Sequence, residues 1–509
     1  MKPLLLNILQ SALPSMGKGI SGTRKTVYGI LGLVLLLVIS IFISYVTVLV
    51  DVKIGVGIVV ALFGIFVLFV CLTYPIVGYY SVIFISLFLA MPDRLIANNS
   101  FMFTGLIPEF LTYVVLLGVL TKKKYQLELK KGFWNQSITF WIIVLMGYYI
   151  LELFNPNMFG KLGWFNFFRK QGSFFAFFYM TYALIDSRKA LNFFVNFWIG
   201  VSFLEAIYAC KQQWFGLFNF EYRWLYASKI RMDLYINWGY VRKFGLQSDP
   251  AAAGMLYAAC TMFALVLALR CQSRIRRYFL YLVAILNLLA SSYTGTRTST
   301  MMVAAGILFY VVLTLYEKRT KILMVTSILT FVFIMFVPIY SNPVINRVRS
   351  TFNPGKDPSN IVREMSRNFA RSYIRSHPIG GGIFTCGDLG IMYNPGHFLN
   401  QVMPDSGYFQ VLMEQGFIGL IMLLAFYFVV LRTGIRYFYR TKDPELKSIL
   451  AATLAYLFSI MAGQFSQMAF YFYPSVLFIY AALAFMLKMK YFGAEEDENK
   501  GVTLQKETK

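Results

Sequence analysis

Runs of about 20 residues with scarcely a charge recur along almost the whole of this chain, and a helix crossing the roughly 30 Å of a bilayer core needs runs of that length. They fall at about 27–50, 54–73, 75–92, 101–121, 136–154, 168–186, 190–209, 250–270, 277–294, 298–316, 321–341, 407–431, 448–466 and 472–490. Inside hydrocarbon every backbone polar group must be paired within the segment, so unbroken apolar runs read as helices. The expected fold is all-α, a polytopic membrane protein of about 12–14 transmembrane helices forming a single transmembrane domain over 1–509. The crowded 54–92 region leaves room for a re-entrant segment. With 58% apolar and 14% charged residues, 50 Phe and 34 Tyr, the composition fits no soluble domain of this size. The first 25 residues lack a signal-peptide core and cleavage site, so insertion is expected to rest on the spans themselves.

Basic residues fix the orientation. Clusters at Lys122–Lys124, Arg188 and Lys189, Arg270–Arg277, Lys318–Lys321 and Arg432–Lys447 all follow even-numbered spans. The positive-inside rule then makes each of them cytoplasmic, together with both termini and a disordered tail at 491–509. The net charge of +24 is therefore mostly topogenic and points to no nucleic-acid function. Five cysteines and two histidines show no metal or redox spacing, and there is no phosphate-binding glycine loop or dinucleotide fingerprint. A pump driven by ATP is disfavoured. A carrier would need polar residues along several spans, whereas these are aromatic and nearly charge-free at their centres.

Two long connections face outward in this topology, at 211–249 and 342–406, and long ordered loops on a multispan protein carry its function. The second holds Arg363, Arg367, Arg371 and Arg375 at intervals of four, on a predicted amphipathic helix over 359–376 that Pro378 stops. Val362, Met365, Phe369 and Tyr373 are expected on its opposite face. Cations outside the membrane need another reason than topology. Two readings stand: the stripe binds a diphosphate, with Arg367 or Arg371 turned to the site, or it lies on anionic headgroups. Arg169 and Lys170, where span six begins, form a weaker patch read as topological or lipid-facing.

A resemblance emerges from the order of short motifs. Arg242-Lys-Phe-Gly-Leu-Gln-Ser-Asp-Pro250 is followed by Tyr293-Thr-Gly-Thr-Arg297-Thr-Ser299 and by His377-Pro-Ile-Gly-Gly-Gly382. Asp405-Ser-Gly-Tyr-Phe-Gln-Val-Leu-Met-Glu414-Gln-Gly416-Phe-Ile-Gly419 closes the series. Over about 240–420 this resembles the O-antigen ligase and polymerase superfamily, whose members show an Arg-x-x-Gly-x-x-x-x-Pro stretch, a His-Pro-x-x-Gly-x-Gly turn and a Glu-x-Gly-x-x-Gly segment. The resemblance implies a C-type-like, metal-independent inverting glycosyltransferase of the cytoplasmic membrane with no cofactor, acting at the outer face. Its substrates would be an undecaprenyl-diphosphate-linked glycan and an acceptor glycan in the lipid bilayer, with a chain-length regulator and a flippase as partners. Polymerisation of O-antigen or exopolysaccharide repeat units is the first reading; ligation to lipid A core is the alternative.

Charge develops on phosphate oxygens as a lipid diphosphate leaves, and a guanidinium can clamp two such oxygens without losing its proton. The resemblance places Arg242 and Arg297 in that role, though Arg297 also reads as an interfacial snorkeler. Asp405 stands where ligases carry histidine, which leans toward a polymerase. A carboxylate there can accept the attacking hydroxyl's proton, or Asp405 or Ser406 can cap span twelve. His377 and His397 are the other candidate bases. Asp249 reads as a helix cap before Pro250.

Overall fold

A computed structural model describes residues 51–95, 105–130, 132–237, 239–339 and 358–507, with scattered positions between 34 and 48 and between 345 and 349. Most of the expected span 27–50 and of the loop stretch 342–357 lies outside the described residues. The chain forms two compact units, Met1–Val70 and Cys71–Lys509.

Among the described residues eight helices are long and apolar enough to cross a membrane: Ser137–Phe154, Arg188–Trp214, Pro250–Arg270, Arg274–Tyr293, Arg297–Thr314, Lys318–Phe336, Gly407–Arg440 and Pro444–Gly463. Shorter apolar helices cover Ala61–Thr73, Pro75–Leu87, Leu106–Leu120 and Ser475–Met489. The span expected at 168–186 overlaps the helix Lys161–Leu184, where Arg169 and Lys170 dilute the apolar character and take it out of the set of eight. The molecule is an all-α, multi-pass membrane protein. In the crowded 54–92 region the helices Val52–Thr73 and Pro75–Leu87 follow one another, broken at Tyr74 because Pro75 has no N–H to continue the ladder. The last helix runs to Glu507, through the 491–509 stretch expected to be a disordered tail. Ala494-Glu-Glu-Asp-Glu in that stretch is rich in residues that favour helix.

Packing in a membrane depends on close approach more than on apolarity, since lipid is as apolar as leucine. The helix Pro250–Arg270 shows this: Ala251, Ala252, Ala253 and Gly254 open it, and 94% of its apolar window is buried. A side chain on Gly254 would meet the Thr294 hydroxyl at 2.6 Å, so the glycine lets the turn before Arg297 sit directly on this helix. Asp249 caps it, accepting from the amides of Ala251 and Ala252 at 2.8 and 2.9 Å. Pro444–Gly463, the other central helix, is alanine-rich too and 83% buried over its window. At the other extreme, Lys318–Phe336 has 6% of its window buried and turns Val325, Leu329 and Phe333 outward. Trp198 stacks on Phe478 at 3.9 Å, near the centre of an aromatic core.

The helix ends sort by charge. At one end Arg188 pairs with Asp443 and Glu445, Arg270 with Glu317, and Lys124 with Asp186. The two long loops gather at the other end. The first contains the helices Asn219–Tyr226 and Lys229–Tyr235 and a hairpin pairing Ile236 with Val241 and Asn237 with Tyr240. The second contains the arginine helix, Pro358–Ser376, and a short helix, Gly387–Tyr393.

Candidate active site

The strand leaving the hairpin positions Arg242, and a buried polar network holds that strand. Arg94, fully buried, donates through Nη1 to the Gly245 carbonyl at 2.7 Å and through Nη2 to that of Gln247, while its guanidinium lies 4.3 Å from the Phe244 ring centre. Burial pushes its proton affinity down, and Glu221 and Glu205 nearby oppose the shift. The Gln212 amide oxygen accepts from the backbone of Phe244 and Gly245, and Gln247 donates to Glu205 at 2.6 Å. Glu205 lies inside the helix Arg188–Trp214, so that span is less bare of charge than its sequence suggested. Its apolar neighbours hid it in the hydropathy pattern.

So held, Arg242 reaches the turn between two membrane helices. Nε donates to the Thr294 carbonyl at 2.9 Å, Nη2 to the Thr296 hydroxyl at 3.0 Å, and Nη1 to the Leu234 carbonyl at 3.2 Å. Gly295, in the left-handed region at φ 62, makes the turn, and Arg297 opens the next helix. The structure therefore brings Arg242 and the turn bearing Arg297 together from separate loops. Part of Arg242's donor set orients that turn.

The arginine stripe divides. Residues four apart advance by about 40° around a helix, so four of them spread over about 120°. Arg363 and Arg367 lie on the side that carries buried Ala370 and Ile374, packed against Cys386, Leu399, Val402 and Met413. Arg371 and Arg375 have rotated into the open. Met365 and Phe369 lie opposite the arginines and away from the packed side, 65% and 40% exposed, Phe369 stacking on Phe398 at 4.6 Å. The side chain of Val362 lies outside the described residues.

Asp405 receives both inward arginines. Oδ2 is 3.1 Å from Arg367 Nη2 and 3.4 Å from Arg363 Nε. The cap of the following helix is Ser406, whose hydroxyl accepts from Phe409 N at 3.4 Å, so Asp405 stands one residue ahead of the cap with its carboxylate turned to the arginines. His397 is built into the loop. Nδ1 accepts from Leu399 N at 3.1 Å, which in the neutral ring leaves Nε2 to donate to the Tyr373 hydroxyl at 3.2 Å. Burial pushes its pKa down, and a hydrogen bond to the Asn157 backbone opposes the shift only in part. His377 stacks on Tyr373 at 4.0 Å and, through Nδ1, donates to the Tyr373 carbonyl at 3.1 Å. The residue is half-buried.

The two glycine motifs interlock. Gly381 and Gly382 donate to the carbonyls of Met413 and Glu414 at 2.8 and 2.7 Å, and Phe417 N returns a bond to Pro378 at 3.0 Å. Gly416, at φ 65, kinks the helix Gly407–Arg440 there, and a side chain on it would lie 2.1 Å from the Pro378 oxygen. Buried Glu414 sits beneath, accepting from Cys386 N at 3.4 Å.

A turn that the sequence reading missed joins the two halves. Ser466, after the helix Pro444–Gly463, meets the Thr298 hydroxyl at 2.6 Å. The Gln464 carbonyl accepts from the Ser406 hydroxyl at 3.1 Å and from Gly407 N at 2.9 Å. Thr298 and Ser406, the sequence neighbours of Arg297 and Asp405, thus both contact one short polar turn, 464–467. Lys170 reaches the same connection, donating to the Tyr471 carbonyl at 3.3 Å, and Arg169 pairs with Glu109 at 2.9 Å. Neither faces lipid as expected, because each has a polar partner within the bundle. The missed residues did leave a signal: Arg94 is a cation on the outward side, and Gln464-Phe-Ser-Gln467 is a polar run closing an apolar span.

The fold and site are those of an all-α membrane protein with arginines and a carboxylate collected at its loop-bearing end. Residues 282–424 match the family model described as O-antigen ligase, which supports the O-antigen ligase and polymerase superfamily and a glycan ligase or polymerase role. That range includes Arg297, the arginine helix, both histidines, Asp405 and the glycine clasp; Arg242 and the 464–467 turn lie outside it. No curated protein matches the chain.

Proposed function

We propose that the protein joins glycans by inverting transfer from an undecaprenyl-diphosphate-linked donor, at the outer face of the cytoplasmic membrane and without a metal ion. Arg242 and Arg297 bind the leaving diphosphate, and the helix N-terminus at Arg297 adds its own partial positive charge. Asp405, across the 464–467 turn, accepts the proton of the attacking sugar hydroxyl. The bond from the anomeric carbon to the diphosphate oxygen breaks as the new glycosidic bond forms, and the electron pair leaves on the phosphate. Carrying this reading is a chain of contacts at the loop-bearing end: Arg242 bonds the turn that opens onto Arg297, and Thr298 and Ser406, the neighbours of Arg297 and Asp405, both bond the 464–467 turn.

Polymerisation of lipid-linked repeat units is the favoured form of the reaction, since a carboxylate occupies the position where ligases carry histidine. The test is reconstitution in liposomes with a synthetic lipid-diphosphate oligosaccharide. Products growing by whole repeats, with release of lipid diphosphate, support polymerisation. Single transfer to an added lipid A core acceptor gives ligation instead, and no consumption of the donor with either acceptor removes the transfer reading.

A further inference from the structure

Arg363 and Arg367 converge on one oxygen atom of Asp405, at 3.4 and 3.1 Å. Two guanidiniums on a single oxyanion oxygen is how a phosphate is held, and here the oxyanion comes from the protein's own chain. The arginines are 35% and 38% exposed whereas the carboxylate is 14% exposed. The donors thus stay reachable while the occupant sits below them. Arg371 and Arg375, both exposed, follow on the same helix, so four cations spread over about 18 Å of its length and about 120° of its circumference. Such an array of cations raises the local concentration of anions. Nothing about docking the helix requires it, since Ala370 and Ile374 supply that contact.

We propose that Arg363 and Arg367 form a phosphate-oxyanion seat that Asp405 fills in the empty protein, and that an incoming lipid diphosphate displaces the carboxylate. Displacement swings Asp405 off the arginines beside the turn that bears Ser466, the partner of Thr298 next to Arg297, and frees it to take a proton. Arrival of the substrate and release of the base then become one event. The inference rests on the diphosphate reading above and goes further by naming two of the four arginines and the side chain that competes with the ligand.

The experiment measures binding of inorganic pyrophosphate to the full chain in phosphatidylcholine nanodiscs, by calorimetry at fixed ionic strength. An occupant present in about nine of ten molecules weakens apparent affinity about tenfold, so Asp405→Asn is expected to tighten binding by about that factor. Asp405→Glu, which keeps a carboxylate, and Asp388→Asn, which removes an equal charge from an exposed site in the same loop, are expected to give no gain. Adding Arg363→Gln and Arg367→Gln to Asp405→Asn is expected to cancel it. Elution of each variant as one species confirms its fold. Unchanged or weaker binding by Asp405→Asn overturns the proposal, as does a gain that survives loss of both arginines. Repetition with phosphatidylglycerol separates the two sources of phosphate: if that headgroup occupies the seat and pyrophosphate does not displace it, assignment to lipid diphosphate is overturned. Glycan transfer is scored separately. Tightened pyrophosphate binding in a protein that transfers no glycan keeps the seat and removes the transfer reading.

Discussion

Arg242 and Thr296 come from different loops and meet at 3.0 Å, Nη2 on the hydroxyl, while that hydroxyl in turn donates to the Pro250 carbonyl at 2.9 Å. One threonine therefore ties the arginine strand, the turn before Arg297 and the start of a central helix. Thr296→Val keeps the shape and removes the hydroxyl. A buried carbonyl without its donor costs about 1–3 kcal/mol of stability, and glycan transfer is expected to fall roughly tenfold through misplacement of Arg242. Arg297→Ala and Arg242→Ala are expected to lower transfer a hundredfold or more at unchanged membrane content, with lysine a poor rescue. Initial rates in vesicles normalised to protein check this; full activity with alanine at both positions removes the clamp.

Gly416 is expected to tolerate no side chain. Its φ of 65 lies in the left-handed region and its missing Cβ would sit 2.1 Å from the Pro378 oxygen, so Gly416→Ala must open the clasp with Gly381 and Gly382. Gly147, inside the helix Ser137–Leu151, has no neighbouring atom within 4 Å of the place a methyl group would take, and Gly147→Ala is expected to be neutral or to stabilise by roughly 0.5–1 kcal/mol. Thermal unfolding of both variants in one detergent compares them directly. Equal melting temperatures would mean that the clasp contributes nothing.

The helices were legible because a bilayer imposes length and apolarity on each of them separately, as the run 250–270 shows. What joins helices was not. Arg94, Glu205 and Gln212 are distant in sequence from the segment Phe244–Gln247 and act on its backbone carbonyls and amides and one of its side chains, contacts that leave no periodic trace. The stripe was visible as spacing, yet its division into inward Arg363 and Arg367 and outward Arg371 and Arg375 depends on which side of the helix packs. Asp405 stood out by position. Its pairing with two arginines is a tertiary fact.

His397 is expected to make stability depend on pH. Burial holds its pKa below the ordinary value of 6.5, so the folded protein keeps the ring neutral where the unfolded chain binds a proton. Its contribution is full above about 6.5 and is lost as pH falls from there toward the depressed folded value. Between pH 7.5 and 5 the melting temperature of the wild type should drop more than that of His397→Gln, which cannot titrate. Parallel curves would assign the pH dependence to other groups.

Orientation can be read by thiol labelling in a Cys271→Ser background, because the other four cysteines are buried. Tyr226→Cys, in the first long loop, is expected to react with a membrane-impermeant reagent in spheroplasts. Gln126→Cys and Tyr439→Cys, at the opposite end, should react after permeabilisation alone. Labelling at 126 in intact spheroplasts inverts the topology and moves the diphosphate site to the other leaflet.

Asp405→Asn separates an enzyme from a carrier. Ser406 provides the cap, so the substitution leaves the helix start intact and removes the carboxylate. If Asp405 takes the proton, transfer is expected to fall by about a hundredfold or more while bound lipid-linked donor is retained. In cells, lipid-linked single repeats should then accumulate on the outer face, since export precedes this step. A blocked flippase would instead trap them on the cytoplasmic face, and leaflet-specific labelling of the sugars tells the two apart. Should transfer persist at the wild-type rate, Asp405 is no base and His377, half-buried in the same loop, is tested next by His377→Gln. Activity that survives both leaves positioning and arginine clamping to carry the reaction, because diphosphate leaves readily once its charge is held.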